Sequence, residues 1–326
     1  MKRRDVLYLL GSAVIAAPRA VTAQTARTYR LASFTGGPPM PPNGPVGKIV
    51  LPTLAQDGYR LGQNLEYQAY GAQMQSARLP KIARDIAAKK TDAVLVAGWP
   101  PAAALKDTGV PTVVAAGAAD PVATGLIESL ARPGGNITGI SDDEATLSTK
   151  RLDLLKQAVS SIRKVAMLWN KKDLGMTQRY QASAHAAKLL GVRVQALGVG
   201  EPNDFDGAFA AMDRDPPDAI LMVSDVLTLL NRKRVYDYAA AHRLPAIYES
   251  DTYVRAGGLM SYGGDVKESW SRAAAMVDRI FKGTKPADMP FEEPTRYVFA
   301  INLKTAKLIG LELPPMVLAL ADEVIE

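Results

Sequence analysis

From Tyr29 onward, short apolar runs alternate with longer segments in which apolar residues recur every three or four positions. TYRLASF (28–34), NLEYQAY (64–70), DAVLVAG (92–98) and PTVVAAG (111–117) have the length and side chains of buried parallel strands. The intervening KIVLPTLAQDGYRL (48–61), SARLPKIARDIAAKK (76–90) and PPAAALKDTG (100–109) predict helices. The run at 111–117 breaks at Asp120-Pro121, gives way to a helix-like VATGLIESL, and restarts after the Pro133-Gly134-Gly135-Asn136 turn.

Beyond Ile140 the alternation begins again, with helices predicted at 146–162, 177–192, 204–212 and 232–243 and strands at 164–170, 193–199, 219–225 and 245–250. A strand LMSY, a helix over 265–283, a Pro-rich crossing and RYVFAINLKTAKLIGL close the chain. Repeated βα units imply parallel sheet with helices on both faces, and the restart implies two such sheets. The expected class is therefore α/β, with two Rossmann-like lobes. GVPTVVAAGAADPVATGL and RLPAIYESDTYVRAGGL echo one another, each placing Pro, a buried strand and an Asp-containing corner in the same order.

The first residues change the cellular setting. Lys2, Arg3 and Arg4 precede an apolar stretch ending at Ala17, with small residues at Val21 and Ala23, so residues 1–23 read as a cleavable export signal, with Arg3-Arg4 also compatible with the twin-arginine route. Four positive charges and one negative charge lie in that segment, so the net charge falls from +6 to +3 in the mature chain. The remaining Lys and Arg are interspersed with Asp and Glu, unlike the stripe that nucleic acid requires. The absence of cysteine excludes disulfides, thiolate metal sites, a cysteine nucleophile and a lipidated N-terminal cysteine.

Little catalytic chemistry is visible. His185 and His242 stand on separate predicted helices without a second ligand at metal spacing. Ser261 lacks the first glycine of a nucleophile elbow, because Leu259 stands there. Gly198 and Gly200 begin a dinucleotide-like loop in which Asn203 replaces the third glycine, and Ile49 follows Lys48 where a phosphate loop needs Ser or Thr. Asp142, Asp143 and Glu144 sit at a helix start, where capping and dipole compensation explain them, with ligand contact between the lobes as the alternative.

The candidate site residues gather at the carboxyl ends of predicted strands, where open parallel sheets bind ligands. Ser33, Phe34 and Thr35 follow the first strand, Gly98 and Trp99 the third, and Asp120 the fourth; Asn170, Asp225, Tyr248 and Ser250 hold comparable places in the second half. A zwitterionic ligand needs an anion for its ammonium and donors for its carboxylate. Asp225, then Asp120, is expected to take the ammonium. Ser33, Thr35 and helix-start N–H groups would take the carboxylate, with Trp99, Phe34 and Tyr248 as flat walls.

MKRRDVLYLLGSAVIAA, ADPVATGLIESLARPGGNITGI, LPAIYESDTYVRAGGLMSYG and INLKTAKLIGLELPPMVLALADEVIE resemble a large bacterial family of ABC-transporter substrate-binding proteins that includes tryptophan- and tyrosine-binding receptors. The resemblance implies a type I periplasmic-binding-protein fold with two lobes, three hinge crossings and ligand between the lobes. Lobe 1 is then expected at 27–142 plus 257–290, and lobe 2 at 143–256 plus 291–326. The implied function is a monomeric periplasmic receptor that passes a small amino-acid-like or aromatic carboxylate ligand to a membrane permease, without cofactor, metal or catalysis. A receptor feeding a signalling partner and an exported two-domain enzyme are the alternatives. Two departures bear on the ligand: TGGPPMPPNGP inserts a Pro-rich segment (36–45) beside the cleft, and Trp99 stands where many relatives carry a small residue.

Overall fold

The computed structural model describes residues 27–141 and 144–326, so the signal-like residues 1–23 and Asp142-Asp143 lie outside the described residues. The first half forms β1 (Tyr29–Thr35), α1 (Leu51–Gln56), β2 (Leu65–Gly71), α2 (Leu79–Ala88), β3 (Ala93–Ala97), α3 (Trp99–Leu105), β4 (Thr112–Ala116) and β5 (Ile137–Gly139). After the first crossing come α4 (Glu144–Ala158), β6 (Lys164–Asn170), α5 (Leu174–Leu189), β7 (Arg193–Val199), α6 (Asp204–Arg214) and β8 (Ala219–Met222). They continue with α7 (Val226–Ala241), β9 (Ala246–Tyr248), α8 (Asp251–Arg255), β10 (Met260–Gly264) and α9 (Val266–Phe281). The chain ends with β11 (Tyr297–Asn302), α10 (Leu303–Leu308), α11 (Pro315–Ala319) and β12 (Glu323–Ile325).

The first sheet is wholly parallel, in the order β2-β1-β3-β4-β5. The second runs β12-β11-β10-β9-β8-β6-β7, and its parallel part from β7 to β10 repeats the order of the first; β11 is antiparallel to β10. In each sheet the order reverses between its first and third strands, β1 and β3 or β6 and β8, which opens a crevice at their carboxyl ends.

Apolar faces on both sides of each sheet explain the continuous hydrophobic strands. Leu31, Leu95 and Val113 pack under Trp270 and Val277 of α9, while Phe34, Val94 and Val96 pack against Ile86 and Leu105 of α2 and α3. In the second lobe, Val165 and Met167 meet Leu155 of α4 and Met176 of α5, and Ala166 and Leu168 meet Phe205 of α6 and Leu227 of α7.

The lobes are joined by three crossings: after β5, between β10 and α9, and before β11. Glu292 donates its backbone N–H to Gly139 O (2.8 Å), Ser141 N–H donates to Glu292 O (2.7 Å), and Asp265 N–H donates to Arg296 O (2.9 Å). The expected boundary at 257 is corrected: Met260–Gly264 pairs with β9 and β11 and so belongs to the second sheet, which moves the second crossing to 264–266. The helix-like reading of VATGLIESL is corrected too. Gly125 takes a left-handed φ of +69° and the Leu126 and Ile127 amides both donate to Pro121 O, giving a chain of turns.

Candidate functional site between the lobes

A cavity of about 410 Å³ lies between the lobes at both crevices. Lobe 1 brings Gly36, Gly98 and Gly117 from the ends of β1, β3 and β4; lobe 2 brings Asn170, Ser224, Asp225, Glu249 and Ser250 from the ends of β6, β8 and β9. Gly98 has φ +94° and Gly117 φ +76°, and a Cβ on Gly117 would lie 3.1 Å from Gly98 Cα, so two strand ends can close up only with glycine at these positions. Apolar walls come from Met74, Leu79, Pro100, Pro101, Met176 and Leu229.

Asp225 caps α7 through a capping box: Thr228 N–H donates to Oδ1 (2.8 Å), Asp225 N–H donates to Thr228 Oγ1 (2.9 Å), and Asn170 Nδ2 donates to Oδ2 (2.6 Å). Asp173 caps α5 through a single bond, accepting from Met176 N–H (3.2 Å). Burial, and then the charge of Asp225, raise the Asp173 carboxyl to about 7, against opposition from the Met176 amide and Arg179. Burial likewise raises Asp225, offset by its bonds from Thr228 and Asn170.

On the same lobe lies a buried ionic triad. Arg151 Nη1 donates to Glu249 Oε1 (3.0 Å) and its Nε to Tyr262 O (2.7 Å); Arg179 Nη1 donates to Glu249 Oε2 (2.8 Å), which also accepts from Ser224 N–H (2.9 Å). Burial opposes the Glu249 charge, but Arg151, Arg179 and the Ser224 amide outweigh it and hold the carboxyl below its ordinary value. The Ser224 hydroxyl is buried beside the Tyr253 phenol.

Gly98, Asn170, Asp225 and Ser250 line the cavity as the sequence placed them. The other six expected residues do not line it, and each makes contacts elsewhere. Ser33 Oγ shares a hydrogen bond with Tyr67 Oη (2.7 Å), and Thr35 Oγ1 accepts from Gly37 N–H and donates to Pro38 O. Phe34 is fully buried between β1 and α2, and Tyr248 stacks on Tyr253 (5.4 Å between centroids) in the core of lobe 2. Trp99 packs at the edge of the lobe 1 core. Asp120 turns its Oδ1 onto the amides of Val122 and Ala123 (3.0 Å each) at the surface.

Arg151, Arg179, Glu249 and Asp173 escaped the sequence reading. Leu147, Arg151 and Leu155 recur four apart on α4, and Met176, Arg179 and Ser183 share one buried stripe of α5. An arginine on the apolar stripe of each of two successive helices was the available signal.

The cleft is closed by contacts across it. A Cβ on Gly37 would lie 2.2 Å from Val226 Cγ1, and one on Gly175 3.2 Å from Ala119 Cβ and 3.3 Å from Trp99 Cβ. Met74, from lobe 1, packs against the α6–α7 core of lobe 2.

The family described as ABC transporter substrate binding protein matches residues 48–325. The chain belongs to that family. It is 23% identical over 266 residues, 81% of this chain and 76% of the other, to a tyrosine-binding protein of Clostridioides difficile (strain R20291). A conserved domain protein from Vibrio cholerae superposes with a TM-score of 0.83 at 24% identity, over 91% of this chain and all of the other. An ABC domain from Streptococcus pneumonia in complex with L-Trp gives 0.82 at 23%, with the same coverage. As a substrate-binding protein of this family, the chain has the two-lobed α/β fold of periplasmic binding proteins. Among the described residues there is no cluster of His, Cys, Asp or Glu that could hold a metal ion, and no helix long and apolar enough to cross a membrane.

Proposed function

We propose that this protein is an exported, monomeric solute receptor that encloses a small amino-acid-like or aromatic carboxylate ligand between its lobes and hands it to a membrane permease, doing no chemistry itself. The cavity carries the reading: it joins both crevices, its walls are largely apolar, and its charged side chains lie on lobe 2. Asp173 and Asp225 bring carboxyl groups to the cavity, and Arg151 and Arg179, both bonded to Glu249, bring guanidinium groups to it. That distribution suits a zwitterion with an apolar side chain, because buried charge must be paired. The names of the C. difficile and S. pneumonia relatives point to the same ligand class.

Refolded, ligand-stripped mature protein should gain thermal stability with amino acids or aromatic carboxylates. A ligand at 100 times its dissociation constant adds about 2.7 kcal/mol. A panel of both classes that leaves the melting temperature unchanged sinks the proposal.

A further inference from the structure

We propose that Met74 is an oxidation-sensitive catch: conversion of its thioether to the sulfoxide holds the lobes apart and lowers ligand affinity, so that the receptor responds to peroxide. This rests on the receptor reading above and adds a modification site to it. Met74 belongs to lobe 1 yet packs against the α6–α7 core of lobe 2, and it forms part of the cavity wall. Its sulfur and Val226 Cγ1 flank one point: a Cβ on Gly37 would lie 3.6 Å from the first and 2.2 Å from the second. The backbone fixes this placement. Gln73 and Met74 hold left-handed φ, +56° and +61°, without being glycine, and their amides donate to Gly37 O and Gly36 O (2.9 Å each).

Access separates Met74 from the other methionines. It is partly exposed, whereas Met176, the other methionine of the cavity wall, is fully buried. Met40 is partly exposed but packs on the lobe 1 core, and Met316 is 73% exposed on α11; neither lines the cavity. The rest of the described methionines are at most 2% exposed. The chain has no cysteine, so no thiol of its own competes for an oxidant.

The oxidant is a hydroperoxide. A sulfur lone pair attacks its terminal oxygen, and the O–O bond breaks as the S–O bond forms. The proton of the transferred oxygen passes to the departing hydroxide or alkoxide, which leaves as water or an alcohol. Sulfur loses two electrons and the peroxide gains them. The new polar oxygen would face Val226 and the apolar α6–α7 core in the closed cleft, but water in the open one. Oxidation therefore acts on the balance between open and closed forms, and every ligand held by closure feels it. A sulfoxide reductase reverses the step, with two thiols going to a disulfide and the oxygen leaving as water.

The test treats ligand-stripped protein with hydrogen peroxide and reads the sulfoxide at each methionine by peptide mass spectrometry. Calorimetry compares L-tryptophan and L-tyrosine binding before and after, in wild type, Met74→Leu and Met316→Leu. Lobe closure is followed separately by energy transfer between dyes attached, before oxidation, to Lys81→Cys on α2 and Lys233→Cys on α7, whose side chains are 74% and 82% exposed. Oxidation of Met74 should weaken binding about tenfold in wild type and Met316→Leu, while Met74→Leu changes less than about twofold. Energy transfer should fall in the dye-labelled protein, and a sulfoxide reductase with dithiothreitol should restore wild-type affinity. A Met74 that stays a thioether while Met316 is oxidised overturns the proposal. So does oxidised wild type that binds as before, a Met74→Leu protein that loses as much as wild type, or a loss that the reductase does not reverse. If neither amino acid binds the untreated protein, that counts against the receptor reading, and the dye pair decides the catch by itself: energy transfer unchanged by oxidation of Met74 overturns it.

Discussion

Glu249 accepts hydrogen bonds from two guanidinium groups and a backbone amide where little water reaches, so the charges balance only while all partners remain. Glu249→Gln should destabilise the ligand-free protein by about 3 kcal/mol, the cost of leaving buried cations uncompensated, read from the midpoint of urea unfolding. Asp173 acts with the opposite sign. Its folded-state carboxyl sits at about 7 and its unfolded value near 3.8, so between those values the folded state binds more protons than the unfolded state. Stability should fall as pH rises through that window, by up to about 1.4 kcal/mol per unit, and level off above it. Asp173→Asn should flatten that slope in unfolding measurements made from pH 4 to pH 8. At this scale the sequence was only partly readable. Position at a strand end identified Asp225 and Asn170, but nothing local told Tyr248 that its ring would lie on Tyr253 in the core while Glu249, its neighbour, faced the cavity.

The elements themselves were legible because apolar periodicity is a local property. Strands β1 to β9 fall within a residue or a few of the expected runs. The starts of α5 and α7 were not, and the caps that line the cavity lie there. The expected start of α5 at Thr177 left Asp173 in a loop, whereas the helix begins at Leu174 and makes Asp173 its cap. The assignment of β10 to the wrong lobe has a similar cause: Gly257-Gly258 looks like a boundary, but Gly257 ends α8 with φ +113° and the strand partners lie far off in sequence. One hinge contact could not have been found by pattern. Arg272 on α9 donates through Nε to Glu292 (2.8 Å) and through Nη1 to Glu293 O (2.7 Å), tying the body of α9 to the third crossing. Glu268 accepts from Arg296 N–H (2.9 Å) on the same segment. Arg272→Ala should widen the range of lobe angles in the ligand-free protein, seen as a larger radius of gyration by small-angle scattering, with sheet content by circular dichroism unchanged.

For the whole molecule, three crossings and a cavity lined from both sides imply opening for entry and exit. Ligand should reduce the radius of gyration of the stripped protein, and an unchanged value at saturation counts against a hinged mechanism. The Pro-rich segment gives this motion a particular end point. Its Gly37 meets Val226 where a methyl group would overlap, and its backbone is strapped to 72–74 by Ala72, Gln73 and Met74 amides donating to Thr35, Gly37 and Gly36 carbonyls. Prolines at 38, 39, 41, 42 and 45 leave the segment few alternative shapes. It behaves like a machined stop on a gate, and the thickness of that stop can be altered without touching what passes through. Gly37→Val should hold the gate ajar and weaken every ligand by a similar factor, about tenfold if one molecule in ten still shuts, with the order of preference among ligands preserved and Val226→Ala restoring closure. Affinity and selectivity would then be separate dials on this protein, the first set where Gly37 of one lobe meets Val226 of the other.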